Sequence, residues 1–209
     1  MEAWKPYPDG VYSANDNPVE EIHICNVAKA YDNLKVLEEF SMTLKKGQRY
    51  CLMAPSGSGK TTLLRLLNRI EQVDSGSIEG IPKRVGMVFQ EDRLCEGYDT
   101  VKNIMLTMRK KEISRNHVQE EAMRILPENC LDKPVKELSG GMRRRCAILR
   151  AMLSGAELII MDEPFTGLDE ENRKKTALYI LEKLEGRTLL VTTHREEDVE
   201  LLQGVKIEL

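Results

Sequence analysis

Hydrophobic positions along this chain change their spacing twice. From Glu21 to Val27 polar and apolar residues alternate, with Ile22, Ile24 and Val27 on one face, the mark of a half-buried strand. Lys35 to Leu44 reads as a second strand that ends in the turn Lys45–Lys46–Gly47. Arg49 to Met53 reads as a third, running into a Gly/Ser loop and then a helix over Thr61–Ile70. Asp74–Ser75–Gly76 is a turn and Arg84–Val88 a short strand. From Asp99 to Ser154 the strand pattern stops. Helical spacing covers Thr100–Arg109, Ser114–Leu126 and Gly140–Ser154, with Pro127 and Pro134 as punctuation. Strand and helix then alternate: Leu158–Met161, Glu170–Leu184, Thr188–Thr193, Arg195–Leu202 and Gly204–Glu208.

That final alternation predicts parallel βαβ units. The expected architecture is an α/β core split by a helical insertion of about 55 residues. Composition narrows the class. Hydrophobic residues make up 41% and charged residues 31%, which fits a globular chain, and the net charge of −3 gives no global case for nucleic-acid binding. No apolar run approaches the roughly 18–20 residues that span a bilayer. Residues 1–20 are polar and carry Pro6, Pro8 and Pro18, so a flexible extension is expected there, with Trp4 or Tyr7 able to pack on the domain. The five cysteines are scattered without a C-x-x-C pair, which predicts reduced, buried thiols rather than disulfides or a zinc site.

Candidate chemistry begins at Ala54–Pro55–Ser56–Gly57–Ser58–Gly59–Lys60–Thr61, followed by Thr62, between a predicted strand and a helix. Small residues let successive amides turn inward on phosphate oxygens, and the helix directs its positive end at the same anion. Lys60 supplies charge to the β- and γ-phosphates and the Thr61 hydroxyl suits Mg²⁺. The opening position is Ala54 rather than glycine, which costs little unless φ is positive there.

A second cluster is Leu158–Ile159–Ile160–Met161–Asp162–Glu163. Ligands bind at the carboxyl ends of parallel strands, so Asp162 is a candidate Mg²⁺ partner through water and Glu163 a candidate to polarise an attacking water. A third is Leu138–Ser139–Gly140–Gly141–Met142, which opens a helix with Arg143, Arg144, Arg145 and Arg150. Its glycines expose amides at a positive helix end, a second anion site about 80 residues from the first. Two such sites in one domain make sense if one serves a neighbouring subunit's nucleotide. The arginine run itself is expected to be a solvated face, with a partner-facing role as the alternative.

With these segments in order, the chain from about Ile22 onward resembles the ABC (ATP-binding cassette) ATPase family, in which a Leu-Ser-Gly-Gly-Gln segment of one cassette closes over ATP held by the other. The resemblance implies a P-loop NTPase core of mostly parallel sheet with helices, an N-terminal antiparallel β subdomain, and an inserted α-helical subdomain at about 95–155 within one domain at 21–209. It implies ATP and Mg²⁺ as cofactors. It assigns Tyr31 to adenine stacking, Gln90 to sensing Mg²⁺ and water, Asp169 to the loop that crosses the dimer interface, and His194 to the γ-phosphate. Glu163, Gln90, Lys60 and His194 are then the catalytic set, and Thr61, Gln90 and Asp162 the metal set. Met142 stands where the family has glutamine, and Thr166–Gly167 where a small Ser/Ala pair is common.

The implied partners are a second cassette, identical or not, and integral membrane permease subunits on separate chains, with a solute-binding protein reached indirectly. The implied place is the cytoplasmic face of a cell membrane. Segments Phe89–Leu94 and Asp162–Asp169 look like importer cassettes, nearest the nitrate, sulfonate and taurine group. A lipoprotein-release or efflux cassette is the alternative, and a DNA-maintenance or ribosome-acting ABC protein a further one. His23 and His117 are given no role. Ile104, Met105 and Met108 are expected in the core, or else lining a groove for a membrane subunit's helix.

Overall fold

The computed structural model describes residues 20–32, 34–55, 57–108 and 114–209. The expectations for the N-terminal extension, with Trp4 and Tyr7, and for Ser56 fall outside the described residues. The elements, in chain order, are β1 (Glu21–Tyr31), β2 (Leu34–Lys45), β3 (Arg49–Met53), α1 (Lys60–Leu67), β4 (Ser75–Glu79), β5 (Val85–Val88), α2 (Thr100–Met105), α3 (Arg115–Met123), α4 (Gly140–Met152), β6 (Leu158–Asp162), α5 (Glu170–Lys183), β7 (Thr188–Thr193), α6 (Glu196–Leu202) and β8 (Val205–Glu208). Short 3₁₀ turns at Glu128–Cys130 and Val135–Glu137 link α3 to α4. Two compact units result, one holding β1, β2, α1 and β4, the other β3 and the chain from Arg84 to Glu208.

The first unit carries an antiparallel sheet in the order β2-β1-β4. Ile22 and Ile24 are buried as their alternation predicts, but β1 breaks register between Ile24 and Val27. Asn26 takes φ +46° there, and its amide donates to Ser41 Oγ at 2.8 Å. The bulge explains Gly76: a Cβ at that residue would lie 2.4 Å from Asn26 O. Segment 74–76 is therefore more than the predicted turn. Asp74 accepts from Lys29 Nζ and the Ala30 amide, both at 2.7 Å, and this lets Ser75–Glu79 pair as β4 on the open edge of β1. Helix α1 stops at Leu67, short of Ile70, because Arg69 turns into the left-handed region (φ +54°).

The second unit carries a five-stranded sheet in the order β5-β6-β7-β3-β8, and every pairing is parallel. All residues of β6 and β7 are buried. Full burial of a Leu or Ile side chain contributes roughly 1.5–3 kcal/mol, against roughly 1–2 kcal/mol for fixing one residue's backbone. Strands this short hold only when both faces are covered, and these are. The helical insertion packs Val101, Ile104, Val118, Ala122, Ile125 and Ile148 into the same core. Helix α2 ends at Met105, four residues before the predicted limit, and leaves Met105 and Leu106 exposed. Of the three side chains expected inside, Ile104 is buried, Met108 packs partly on the core, and Met105 faces solvent.

Cys51, Cys130 and Cys146 are buried, while Cys25 and Cys95 are exposed, so the expectation of buried thiols holds for three of the five. Burial pushes the Cys51 and Cys146 thiols up to about 12. A thiol-reactive dye at pH 8 should therefore react quickly with two thiols in the native protein and with all five only after denaturation. Three or more fast thiols would contradict this packing.

Candidate active site

The phosphate loop follows β3 directly along the chain. Ala54 is not among the non-glycine residues with positive φ, so alanine is tolerated there. Gly59 is required: its φ is +94°, and a Cβ would sit 2.7 Å from Val36 O. Lys60 Nζ donates to Ala54 O at 2.5 Å and Pro55 O at 2.8 Å, so the ammonium is folded over its own loop. Gly57 and Thr61 are exposed, and Ser58 Oγ is buried without a partner among the described residues. Thr62 is buried in the first turn of α1. The Tyr31 hydroxyl donates to the Glu71 carboxylate, and burial followed by that contact raises its pKa. Lys29 lies 5.7 Å from the ring centre.

In the other unit the strand-end acids meet the end of β7. Asp162 is 4% exposed and stands opposite Thr192 in the parallel register. Thr192 Oγ1 donates to Asp162 Oδ1 at 2.5 Å and accepts from the Glu163 amide at 3.0 Å. The Glu163 amide also reaches Thr192 O at 3.2 Å. Glu163 itself takes φ +46°, an uncommon conformation for a side-chain-bearing residue, of the kind that gathers at functional sites. The turn carries its carboxylate to 3.6 Å from His194 Nδ1, with Thr166 Oγ1 donating to it at 3.3 Å. Carboxylate and imidazole therefore share one edge of the sheet, with the His194 side chain 64% exposed.

His194 is fixed from both sides. Thr193 Oγ1 accepts from the Arg195 amide at 3.1 Å and donates to Asp198, and Asp198 accepts from Arg173 Nε at 2.8 Å. Asp198 and Arg173 are both buried.

Ser139 caps α4, accepting from the Met142 amide at 3.3 Å. The first-turn amides at Gly140 and Gly141 have no intrahelical acceptor, as at any helix start. Beside them Asp169 caps α5, accepting from the Asn172 amide at 2.8 Å and its side chain at 2.7 Å. The backbone amide of Asn172, then its side chain, holds the Asp169 carboxyl below the usual range. Ser139, Gly140, Gly141, Gly167 and Asp169 line a cavity of about 630 Å³.

A family profile described as ABC transporter matches residues 37–166. The chain belongs to the ABC transporter family. It is 36% identical over 197 residues to a Nod factor export ATP-binding protein I of Cupriavidus metallidurans, covering 85% of this chain and 64% of that protein. It is 31% identical over 194 residues to the spermidine/putrescine import ATP-binding protein PotA of Thermotoga maritima, covering 85% and 53%. To the ergothioneine transport ATP-binding protein EgtV of Helicobacter pylori it is 30% identical over 207 residues, covering 91% and 97%. The chain thus spans less than two thirds of the first two relatives named. The fold matches a solved dimeric bacterial ABC transporter cassette with a TM-score of 0.78 at 23% identity, over 90% of this chain and 94% of that one.

For this ABC transporter chain the predicted site residues fall into two groups. Tyr31 and Gly57 to Thr62 lie in the first unit, while Gln90, Ser139 to Gly141, Asp162, Glu163, Asp169 and His194 lie in the second. The arginine run is not a solvated face. Arg144 and Arg145 are buried because neighbouring carbonyls and carboxylates need donors. Arg145 reaches Ile125 O at 2.5 Å and Asn172 Oδ1 at 2.6 Å. Met142 packs partly on the core. Reading the sequence missed Thr192, Thr193, Arg173, Asp198 and Arg144. For the two threonines the signal was present, since they are polar residues in a strand with no exposed face.

Thr192→Val keeps shape but removes the donor to Asp162 and the acceptor for the Glu163 amide. It should cost roughly 1–3 kcal/mol in urea unfolding, while Thr192→Ser should retain most of the stability. Equal unfolding of the two variants would show that the hydroxyl does not hold the strand end.

Proposed function

We propose that this chain is the ATP-hydrolysing subunit of an ABC transporter, working as one of two cassettes. The observation that carries this reading is the Glu163 carboxylate, lifted off a fully buried parallel strand and set 3.6 Å from His194. The phosphate loop takes the β- and γ-phosphates, with Lys60 supplying charge and Tyr31 stacking on adenine. Thr61 in the first unit, and Gln90 and Asp162 in the second, carry a hydroxyl, an amide carbonyl and a carboxylate, each a hard oxygen donor of the type Mg²⁺ takes. Bound by these residues, Mg²⁺ would supply charge neutralisation to the phosphate oxygens. Glu163 accepts hydrogen bonding from, and orients, the attacking water, and His194 steadies charge on the γ-phosphoryl oxygens.

Ser139 to Gly141, with Asp169 beside them, form an anion-binding helix end that serves the partner cassette's nucleotide. Bound ATP is then most of the adhesive between cassettes, so association is linked to nucleotide. No helix among the described residues is long and apolar enough to cross a membrane. We assign the membrane spans to separate permease chains, as the resemblance to the family implies, and the exposed Tyr98, Met105 and Leu106 of the helical insertion suit a docking surface for them. Within this reading we take import as the direction, on the likeness of residues 89–94 and 162–169 to importer cassettes. The Nod factor relatives speak for export, and transport by the reconstituted complex decides between them.

Glu163→Gln should bind ATP with about parent affinity and hydrolyse it at least a hundredfold more slowly, whereas Lys60→Ala should lose ATP binding. Parent-rate hydrolysis by Glu163→Gln would remove Glu163 from the chemistry. Capture of tagged Glu163→Gln from detergent-solubilised membranes with ATP and Mg²⁺ should recover a polytopic membrane protein. Recovery of ribosomal or DNA-bound proteins instead would contradict the transporter assignment.

A further inference from the structure

The segment that follows β5 is held by hydrogen bonds to its main chain. Arg144 Nη1 donates to Phe89 O at 2.6 Å, and its Nη2 donates to Gln90 O. Its Nε lies 3.3 Å from Asp92 Oδ1. Arg150, later on the same helix, donates to Arg93 O at 2.8 Å and Asp92 O at 3.1 Å. Arg93 in turn lies over the Phe89 ring at 4.1 Å. Four main-chain carbonyls between Phe89 and Arg93 are thus taken by guanidinium groups of α4. The Gln90 side chain remains exposed.

An exposed, mobile surface loop would satisfy these carbonyls with water at no cost. Here a guanidinium whose side chain is only 9% exposed is spent on them, and a buried cation is costly unless every donor is used. Both terminal nitrogens of Arg144 donate to main-chain carbonyls and its Nε lies within ion-pair range of Asp92, a planar fork that an ammonium cannot reproduce. Arg144 lies one helical turn after Gly140, where the anion-binding amides begin. A shift of that helix end therefore reaches the Gln90 main chain through a single side chain, while the amide of Gln90 stays free to swing.

We propose that Arg144 is a positioning residue that ties the Gln90 main chain to the helix opened by Ser139–Gly141, so that nucleotide contact at that helix sets where the Gln90 amide is presented. This rests on the reading of Gln90 as a group that contacts Mg²⁺ and water. A purely structural role for Arg144 would show in stability alone. Action through Gln90 would show as a turnover effect that disappears when the Gln90 amide is absent.

The test is steady-state ATP hydrolysis by the full chain, comparing the parent, Arg144→Met, Gln90→Ala and the double variant, well below every melting temperature. Each single change should lower kcat about ten- to hundredfold, with KM for ATP within about twofold. In the Gln90→Ala background, Arg144→Met should add less than about a further twofold. Arg144→Lys should not rescue turnover. If Arg144→Met fails to fold, Arg144→Gln, which keeps one amide donor, should give an intermediate kcat and the same lack of additivity. Parent kcat in the Arg144 variant, or losses that multiply in the double variant, would overturn the proposal. Parent kcat in Gln90→Ala would instead remove the role assigned to Gln90, and the proposal with it.

Discussion

The parallel pairing of β6 with β7 governs the chemistry of this molecule. Both strands are buried throughout, so any polar group on them must find a partner within the protein. Register places Asp162 opposite Thr192, and that one hydroxyl serves both the carboxylate of Asp162 and the amide of Glu163. Because Thr192 O takes a second bond from the same amide, the chain after β6 cannot continue straight. It turns through a positive φ at Glu163, which brings that carboxylate to His194 two residues beyond Thr192. A one-residue slip would send Asp162 to the opposite face and break all three relations at once.

The remaining elements secure the surroundings of that edge. Asp198 and Arg173 hold the residues that flank His194, and Arg173 belongs to the helix that Asp169 caps. Arg145 joins α4 to Asn172, which also binds Asp169, while Arg144 joins the same helix to the Gln90 segment. Arg144 and Arg145 thus carry charge for internal reasons. Their acceptors are main-chain carbonyls and the Asn172 side-chain oxygen, with the Asp92 carboxylate close to Arg144, which explains why these two guanidinium groups lie inside.

Much of this was legible in the sequence. The apolar run Leu158–Met161 ending in two acids, the Gly/Ser loop before Lys60, and the Ser-Gly-Gly helix start each carry a local physical reason for their residue types. The strand and helix order was equally local, because alternation and helical spacing can be read within a short window. What escaped depended on partners far along the chain. Asp74–Ser75–Gly76 reads as a turn, and Ser75–Glu79 forms a strand only because β1 offers an open edge. Arg144 looks like a surface charge until Phe89 and Gln90, over fifty residues away, present their carbonyls. Met105 fits a helical core pattern, yet α2 ends beneath it and leaves it in solvent.

The central claim is that the Ser139–Gly141 helix end completes a nucleotide site on another copy of the cassette. Sedimentation of the Glu163→Gln chain with ATP and Mg²⁺, alone and with Ser139→Arg added, tests it directly. The account predicts that ATP shifts the first protein from one chain to two with one nucleotide per chain, and that the added change abolishes the shift while ATP binding persists. Stoichiometric ATP on a single chain, or a dimer that survives Ser139→Arg, would contradict it.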